Sequence, residues 1–181
     1  MFPDEREIQQ AVYQALRAAL GLTATEGSRH LARAYQDSPP GNPGPEANVC
    51  YYQLVTEAQG KMYTETTVNE NVPCVFEFVP GRLVLVFYGP TCERWAHRCQ
   101  EFLFLDGNGM PRQILREAGI FPVPNGYGPE VVYEESGKVW RKRADLVVQV
   151  RIRVNEEYGS VVSGTISEIG TIAEAPTIVF G

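Results

Sequence analysis

The stretch WRKRADLVVQVRIRV, residues 140–154, decides the fold of this chain. Every second position from Ala144 to Val154 is apolar, whereas the positions between them carry most of the charge. Successive side chains of a β-strand point to opposite faces of the sheet, so this alternation predicts a long strand with one face on a core. The other face is predicted to be wet or to lie at an interface. Its polar members are Arg141, Arg143, Asp145, Gln149, Arg151 and Arg153.

Several β-prone runs lie on either side of this strand. Strands are predicted at residues 49–58, 62–68, 74–79 and 82–88 before it, and nearer to it at 120–123 and 129–135. Pro80-Gly81 lies between two of these runs, and because Pro-Gly is typical of a turn, a hairpin is expected there. Residues 83–87 are apolar without interruption, which predicts a central strand covered on both faces.

Apolar residues at helical spacing predict helices at residues 4–20, 91–105 and 111–118. Pro3 and Pro111 stand near two helix starts, and Gly21 and Gly119 follow two helix ends, as is common at helix termini. Helices and strands together indicate an α+β domain.

The length of 181 residues favours one domain. Residues 38–47 read SPPGNPGPEA, which predicts a long loop. Residues 156–181 form a C-terminal extension with too few large apolar residues for a core of its own. We expect it to add to a sheet edge, its own or that of a neighbouring subunit.

Charge and composition exclude some classes of protein. The net charge is −6, so duplex DNA repels the chain unless its basic residues are gathered on one face. No apolar run of membrane-spanning length occurs and the N-terminus is acidic, so we expect a protein that is kept inside the cell that makes it. Thirteen of the sixteen basic residues are Arg, which suits packed interfaces but also follows from GC-rich coding.

A catalytic or metal site is not predicted. His97 shares a predicted helix with Cys92 and Cys99, but it is rotated away from their common stripe, and a zinc ion would need a fourth facing ligand. The four cysteines form no CxxC pair and are expected to be reduced core thiols. The carboxylate pairs 134–135 and 156–157 are adjacent and point to opposite faces, and residues 106–109 are interpreted as a turn.

The Arg-bearing strand face has two interpretations that the residues leave open. It could face a partner subunit or the DNA path through a ring, or it could be a solvated face that prevents aggregation. Asp145 lies within the row of Arg residues, and its negative charge favours ion pairs with a neighbouring subunit over a surface that only contacts DNA.

The order of elements over residues 83–154 resembles that of phage neck and tail terminator proteins. The features that carry the resemblance are a β-run ending in Phe87-Tyr88-Gly89, a helix containing Trp95, the segment Leu115-Arg116-Glu117-Ala118-Gly119-Ile120, and Arg143-Ala144-Asp145-Leu146 opening the last long strand. The similarity covers most of residues 4–155.

This resemblance implies a mixed, mainly antiparallel sheet with helices packed on one face, assembled into a homo-oligomeric ring, usually a hexamer. It implies a structural virion protein of the neck, without catalytic, cofactor or metal residues, that terminates the tail tube and joins it to the head connector. Its expected partners are connector or adaptor proteins and tail tube or sheath proteins, with DNA only as passing cargo in the lumen. The alternative is a head-completion or stopper protein, or another connector protein, of the same neck. Two hypotheses come from other classes: a small enzyme, which would need a cluster of acidic or His residues that the sequence does not offer, and a monomeric nucleic-acid-binding module, which the net charge of −6 disfavours.

Overall fold

A computed structural model describes residues 5–34, 46–56, 63–69, 72–105, 107, 110–124, 126, 128–136 and 139–156 of the chain. For residues 5, 63–69, 72–77, 136, 139 and 154–156 the description is restricted to the backbone. Two expectations fall largely outside these ranges: the loop at 38–47, of which residues 46 and 47 are described, and the C-terminal extension, of which Glu156 is described.

The described residues form an open, mixed and mostly antiparallel sheet with four helices, which confirms the α+β prediction. The helices are α1 (Glu5–Leu20), α2 (Ala24–His30), α3 (Cys92–Phe104) and α4 (Pro111–Glu117). The strands are β1 (Leu31–Arg33), β2 (Val49–Thr56), β3 (Tyr63–Asn69), β4 (Val72–Tyr88), β5 (Ile120–Val123), β6 (Glu130–Ser136) and β7 (Val139–Glu156). Among the described residues, no helix is long and apolar enough to cross a membrane.

Strands β4 and β7 form the centre of the sheet. They pair antiparallel from Val75 opposite Glu156 to Tyr88 opposite Arg143. The outer edge of β4 carries β2 and then β3, and the outer edge of β7 carries β6 and then β5. The short strand β1 extends the sheet beyond β2 and is parallel to it. The two longest strands therefore set the register for the rest.

The predicted turn at Pro80-Gly81 is wrong, because β4 runs through both residues without interruption. Pairing with β2 ends at Gly81 and pairing with β3 begins at Phe78, so Pro80 lies where that edge of β4 changes partner. A residue without an N–H group is tolerated at such a gap. A Cβ added to Gly81 would lie 2.9 Å from the Val55 carbonyl oxygen, so the close approach of β2 explains the glycine.

All four helices lie on one face of the sheet. Most buried residues of β4 and β7 belong to one alternating set, whose members are Leu83, Leu85, Phe87, Ala144, Leu146, Val148, Val150 and Ile152; Phe78 is buried on the opposite face, where it is paired with Arg153. The side chains of this set pack against an apolar stripe on α1 and another on α3, formed by Val12, Ala15, Leu16, Ala19, Cys92, Ala96, Cys99 and Leu103. The alternation in β7 and the helices on one face are thus confirmed.

The expectation that residues 83–87 are covered on both faces is wrong for the described residues. Val84 and Val86 belong to the opposite alternating set and are half-buried, whereas their neighbours Leu83, Leu85 and Phe87 are fully buried. The strand is central, but its second face lies opposite the helices. We call this second surface of β2, β4, β5, β6 and β7 the open face.

The start of α3 is fixed to the sheet by Asn48. Its side-chain carbonyl accepts a hydrogen bond from the Thr91 backbone N–H at 2.9 Å, and its backbone carbonyl lies 2.7 Å from His30 Nδ1. Gly89 has φ +107°, and a Cβ there would lie 2.5 Å from the Ala47 carbonyl oxygen. Only glycine fits this close turn without a shift of the backbone, so β4 and α3 meet at a defined angle.

Sequence patterning missed α2. Thr23 and Glu26 form a capping box: the Glu26 N–H donates to Thr23 Oγ1 at 3.3 Å, and the Thr23 N–H donates to the Glu26 carboxylate at 2.8 Å. The Thr-x-x-Glu spacing is a recognised helix-start signal, but the helix is short and lacks an apolar stripe. The periodicity on which the longer helices were predicted is absent from it.

Adjacent residues of β7 give a direct test of this one-sided core. Leu146 is 1% exposed and Val147 is 38% exposed. We expect Leu146→Ala to lower the free energy of unfolding by about 2–5 kcal/mol and Val147→Ala by less than about 1 kcal/mol, measured by urea denaturation of the monomer. Equal losses for the two variants would mean that the open face is covered within a single chain.

Candidate subunit interface

The six residues predicted to line an interface all lie on the open face. Arg143, Asp145, Gln149, Arg151 and Arg153 alternate along β7 with the buried set, and Arg141 precedes them on the same side. Neighbouring strands add further side chains to this face: Arg82, Val84, Val86 and Tyr88 from β4, Phe121 from β5 and Glu134 from β6. Sequence reasoning found the β7 row but missed Arg82, because the wrong turn at residue 81 separated it from β7.

One end of the open face carries a half-buried cluster of ion pairs. The Arg143 guanidinium donates to the carboxylate of Glu134 and to Asp145 Oδ2, the latter at 3.0 Å. Arg143 Nε and Asp145 Oδ1 are inaccessible to solvent and have no hydrogen-bond partner within the described residues. Burial raises the pKa of Asp145 above its ordinary value, although the nearby Arg143 opposes this rise. The cluster therefore has polar atoms that water does not reach and that no described residue pairs.

The other end of the open face is basic and aromatic. The Arg153 guanidinium lies 5.9 Å from the centre of the Phe121 ring, and Phe121 meets Phe78 edge to face at 5.6 Å. Arg151 is opposite Phe121 in the β5–β7 register, and Arg82 is opposite Gln149 in the β4–β7 register. We call Arg82, Arg151 and Arg153 the basic corner.

An apolar strip separates the two ends. Val84 of β4 is paired with Val147 of β7, and Val86 follows on the same side. Tyr51 of β2 and Tyr88 of β4 extend the strip and meet edge to face at 5.8 Å. A face that is ionic at both ends and apolar in its middle is typical of a surface that a partner covers.

A second apolar surface lies on the hairpin of β6 and β7. Tyr133 is 62% exposed and Trp140 is 67% exposed, and Val131 is exposed beside them. Their registers with Lys142 and Ala144 place these side chains on the helix side of the sheet, at its margin. Lys142 donates to Glu93 of α3 at 2.7 Å, which ties the hairpin to the helix layer. We call Val131, Tyr133 and Trp140 the hairpin patch. The sequence pattern placed Trp140 at the start of the long strand but did not indicate that its side chain is exposed.

The two histidines have different surroundings in the structure. His30 Nδ1 is bonded to the Asn48 carbonyl, and its ring meets Trp95 edge to face at 5.9 Å. His97 is exposed on α3. In the described part of the chain, no three His, Cys, Asp or Glu residues are placed to hold a metal ion. An open groove of about 530 Å³ lies between α1 and α4, but its two carboxylates, Glu7 and Glu117, are exposed to water.

Three of the four cysteines are buried and free, as predicted. Cys50, Cys92 and Cys99 all belong to the core cluster, and the side chain of Cys74 lies outside the described residues. Burial raises the pKa of all three thiols, that of Cys99 to about 12. Because the thiolate is the nucleophile, these groups are chemically inert in the native protein.

Comparison with known proteins gives no family for this chain. No protein-family model matches it, and no curated protein matches it in sequence.

The buried thiols predict a loss of stability at alkaline pH. A thiol with a raised pKa stays protonated in the folded state while the unfolded chain ionises, so its stabilising effect is complete below pH 9 and is lost as the pH rises towards 12. In a Cys74→Ser background, we expect a thiol reagent at about pH 8 to label none of the three cysteines before unfolding and all three after it.

The alkaline effect is measured as the free energy of unfolding by urea at a series of pH values. A Cys74→Ser, Cys99→Ala variant is the control and should show a smaller loss between pH 9 and pH 12. Rapid labelling of the native protein would contradict the buried positions of these thiols.

Proposed function

We propose that the chain is a structural subunit of a phage neck, which forms a closed ring at the end of the tail tube and joins the tube to the head connector. The observation that carries the proposal is the open face, a sheet surface with an apolar middle and ionic ends that no described helix covers. The resemblance of the element order over residues 83–154 to phage neck and tail terminator proteins suggests which ring the chain forms. The open face suggests which surface is buried when the subunits assemble.

The positions of the open face and the hairpin patch support a head-to-tail contact between subunits. The open face has charged residues at both ends, whereas the hairpin patch is apolar and aromatic, and the two surfaces lie on opposite sides of the sheet. We therefore propose that the open face of one subunit contacts a different surface of the next subunit. Contacts between two unlike surfaces generate either a closed ring or an open filament, depending on the rotation from one subunit to the next. A ring of copies of this chain, expected to be a hexamer, uses both surfaces in every subunit.

Charge supports a protein partner for the open face. Five Arg residues lie on it, accompanied by Asp145, Glu134 and Glu130, in a chain whose net charge is −6. Such a mixture of signs favours specific ion pairs with another subunit, whereas a track for DNA is uniformly basic. DNA in this proposal is cargo that passes through the lumen, and the further partners are connector or adaptor proteins on one side and tube or sheath proteins on the other.

The proposal makes the chain a non-enzymatic component of the virion. What supports this part is that His30 Nδ1 is bonded to a backbone carbonyl and that the thiols of Cys50, Cys92 and Cys99 are buried. The protein is assembled in the host cytoplasm and then stays in the neck of the particle.

The assembly test uses the purified full chain. We expect sedimentation velocity and negative-stain electron microscopy to show closed rings, either alone or after addition of tail tubes or connector protein. Antibody labelling of tailed particles should place the protein at the junction of head and tail. A stable monomer at high concentration that forms no ring with either partner would overturn the proposal, and label at another position would exclude the neck terminator role.

Charge reversal tests whether the β7 row acts in assembly. Arg151→Glu with Arg153→Glu should weaken ring formation by at least about tenfold in concentration, because reversing charges at an interface adds like-charge repulsion. The matched control is Arg29→Glu with Arg94→Glu, which makes the same change in net charge at exposed helical positions. Normal assembly of the β7 variant, with both variants folded by circular dichroism, would mean that the row is merely solvated.

The hairpin patch gives an independent test. Trp140→Ala and Tyr133→Ala remove side chains that are mostly exposed in the monomer, so we expect each to lower the free energy of unfolding of the monomer by less than about 1 kcal/mol. Buried aromatic residues dominate the binding energy of interfaces, so the same variants should weaken assembly by about tenfold or more. Unchanged assembly by sedimentation would remove the hairpin patch from the interface.

A further inference from the structure

The hairpin patch is an aromatic surface that the described part of the chain leaves exposed. Tyr133 and Trp140 are each more than half exposed, and Val131 lies beside them. Aromatic side chains bury about 150–250 Å² each, so these two, at their exposure, offer roughly 200–320 Å² to a partner. A specific interface buries roughly 800 Å² on each side, so the patch has the size of an anchor within a larger contact.

The groove between α1 and α4 is a concave surface that suits aromatic rings. Its volume of about 530 Å³ lies within the roughly 300–1,000 Å³ of pockets that hold small molecules. Its floor is formed by the buried or half-buried side chains of Ala11, Ile114 and Ala118. Its rim carries exposed polar side chains, among them Arg6, Glu7 and Glu117.

The polar atoms of the two surfaces are complementary. The indole N–H of Trp140 and the O–H of Tyr133 are hydrogen-bond donors, and such groups usually find an acceptor when their rings are buried. Glu7 and Glu117 provide carboxylate acceptors at the rim of the groove. Glu117 Oε1 accepts one hydrogen bond, from Gln113 Nε2 at 2.8 Å, and a carboxylate can accept several. The apolar floor therefore suits the faces of the rings, and the rim suits their polar edges.

The hairpin patch and the groove lie on the same side of the sheet but far apart along β7. The carbonyl of Gly119, which follows α4, accepts a hydrogen bond from the Arg153 N–H at 2.8 Å, so the groove lies near Arg153. The span from Trp140 to Arg153 is roughly 40 Å at about 3.3 Å per residue of strand. The hairpin patch therefore does not reach the groove of its own chain, whereas a second copy displaced along β7 brings the two surfaces together.

We infer that Trp140 and Tyr133 of one copy insert into the groove between α1 and α4 of the next copy, with their polar edges donating to Glu7 and Glu117. This inference rests on the proposed ring and names the surface that receives its hairpin patch. Because the two surfaces are different, each copy can use both at once, and repetition of the contact joins the copies head to tail.

A cross-linking experiment tests the contact at positions beside the two surfaces. Glu135 is exposed and lies opposite Trp140 in the β6–β7 register, and Gln10 is exposed at the rim of the groove. The full chain with Cys74→Ser, Glu135→Cys and Gln10→Cys is treated with a short bismaleimide at a concentration at which it assembles. The thiols of Cys50, Cys92 and Cys99 are buried, so the introduced thiols react. We expect a ladder of covalent oligomers that ends at the size of the ring.

Chains with only one of the two introduced thiols are the matched controls. Each alone should remain a monomer on a denaturing gel, and a mixture of the two should give a covalent dimer as its largest product. A covalent dimer from the Glu135→Cys chain alone would mean that two hairpin patches meet, and would overturn the inference. Assembly without a cross-link between positions 135 and 10 would refute the inference alone, whereas a chain that stays monomeric by sedimentation would refute the proposed ring.

A pair of substitutions tests whether the hairpin patch and the groove form one contact. Trp140→Ala removes the inserted ring, and Gln10→Trp places another ring at the groove, so we expect each to weaken assembly by about tenfold in sedimentation. The double variant should lose no more than about tenfold, because a contact that is already lost cannot be lost again. Thr25→Trp, at an exposed position of α2 outside the groove, is the control and should assemble normally. A loss of roughly a hundredfold in the double variant would assign the two surfaces to separate contacts and overturn the inference.

Discussion

The antiparallel pairing of β4 with β7 is the constraint on which the rest of the structure depends. The two strands are the longest in the sheet, and every other strand except β1 pairs directly with one of them. Their register places Leu83, Leu85 and Phe87 on the same side as Leu146 and Val148, so the two strands present one apolar surface. A shift of one residue would move these side chains to the opposite face and leave the helices without a core.

The same pairing creates the open face. Because side chains alternate in both strands, the register that gathers the core residues also gathers Arg82, Arg151 and Arg153 at one end and the ion pairs of Arg143 at the other. The helices pack on one face and leave only its margin at the hairpin of β6 and β7 exposed, whereas no described helix packs on the second face with its valines. The fold and the proposed assembly thus both depend on this one register.

The buried thiols and His30 have structural contacts in the described part of the chain. Cys50, Cys92 and Cys99 fill the space between sheet and helices, where burial keeps them protonated. His30 joins α2 to the loop before β2 through the Asn48 carbonyl, and Asn48 in turn holds the start of α3. Their surroundings give these residues a role in packing and in the orientation of helices.

The sequence by itself determined the elements whose pattern is local and long: the alternation in β7, the apolar stripes of α1 and α3, and the row of polar residues from Arg141 to Arg153 on one face of β7. It failed where local chemistry and long-range pairing disagree. Pro80-Gly81 has the composition of a turn, but β2, β3 and β7 hold it in a continuous strand, and the close approach of Val55 is invisible in sequence. Only the tertiary structure decided which apolar residues are covered, because burial of Val84 or Trp140 depends on what packs above the sheet rather than on the residue and its neighbours in the chain.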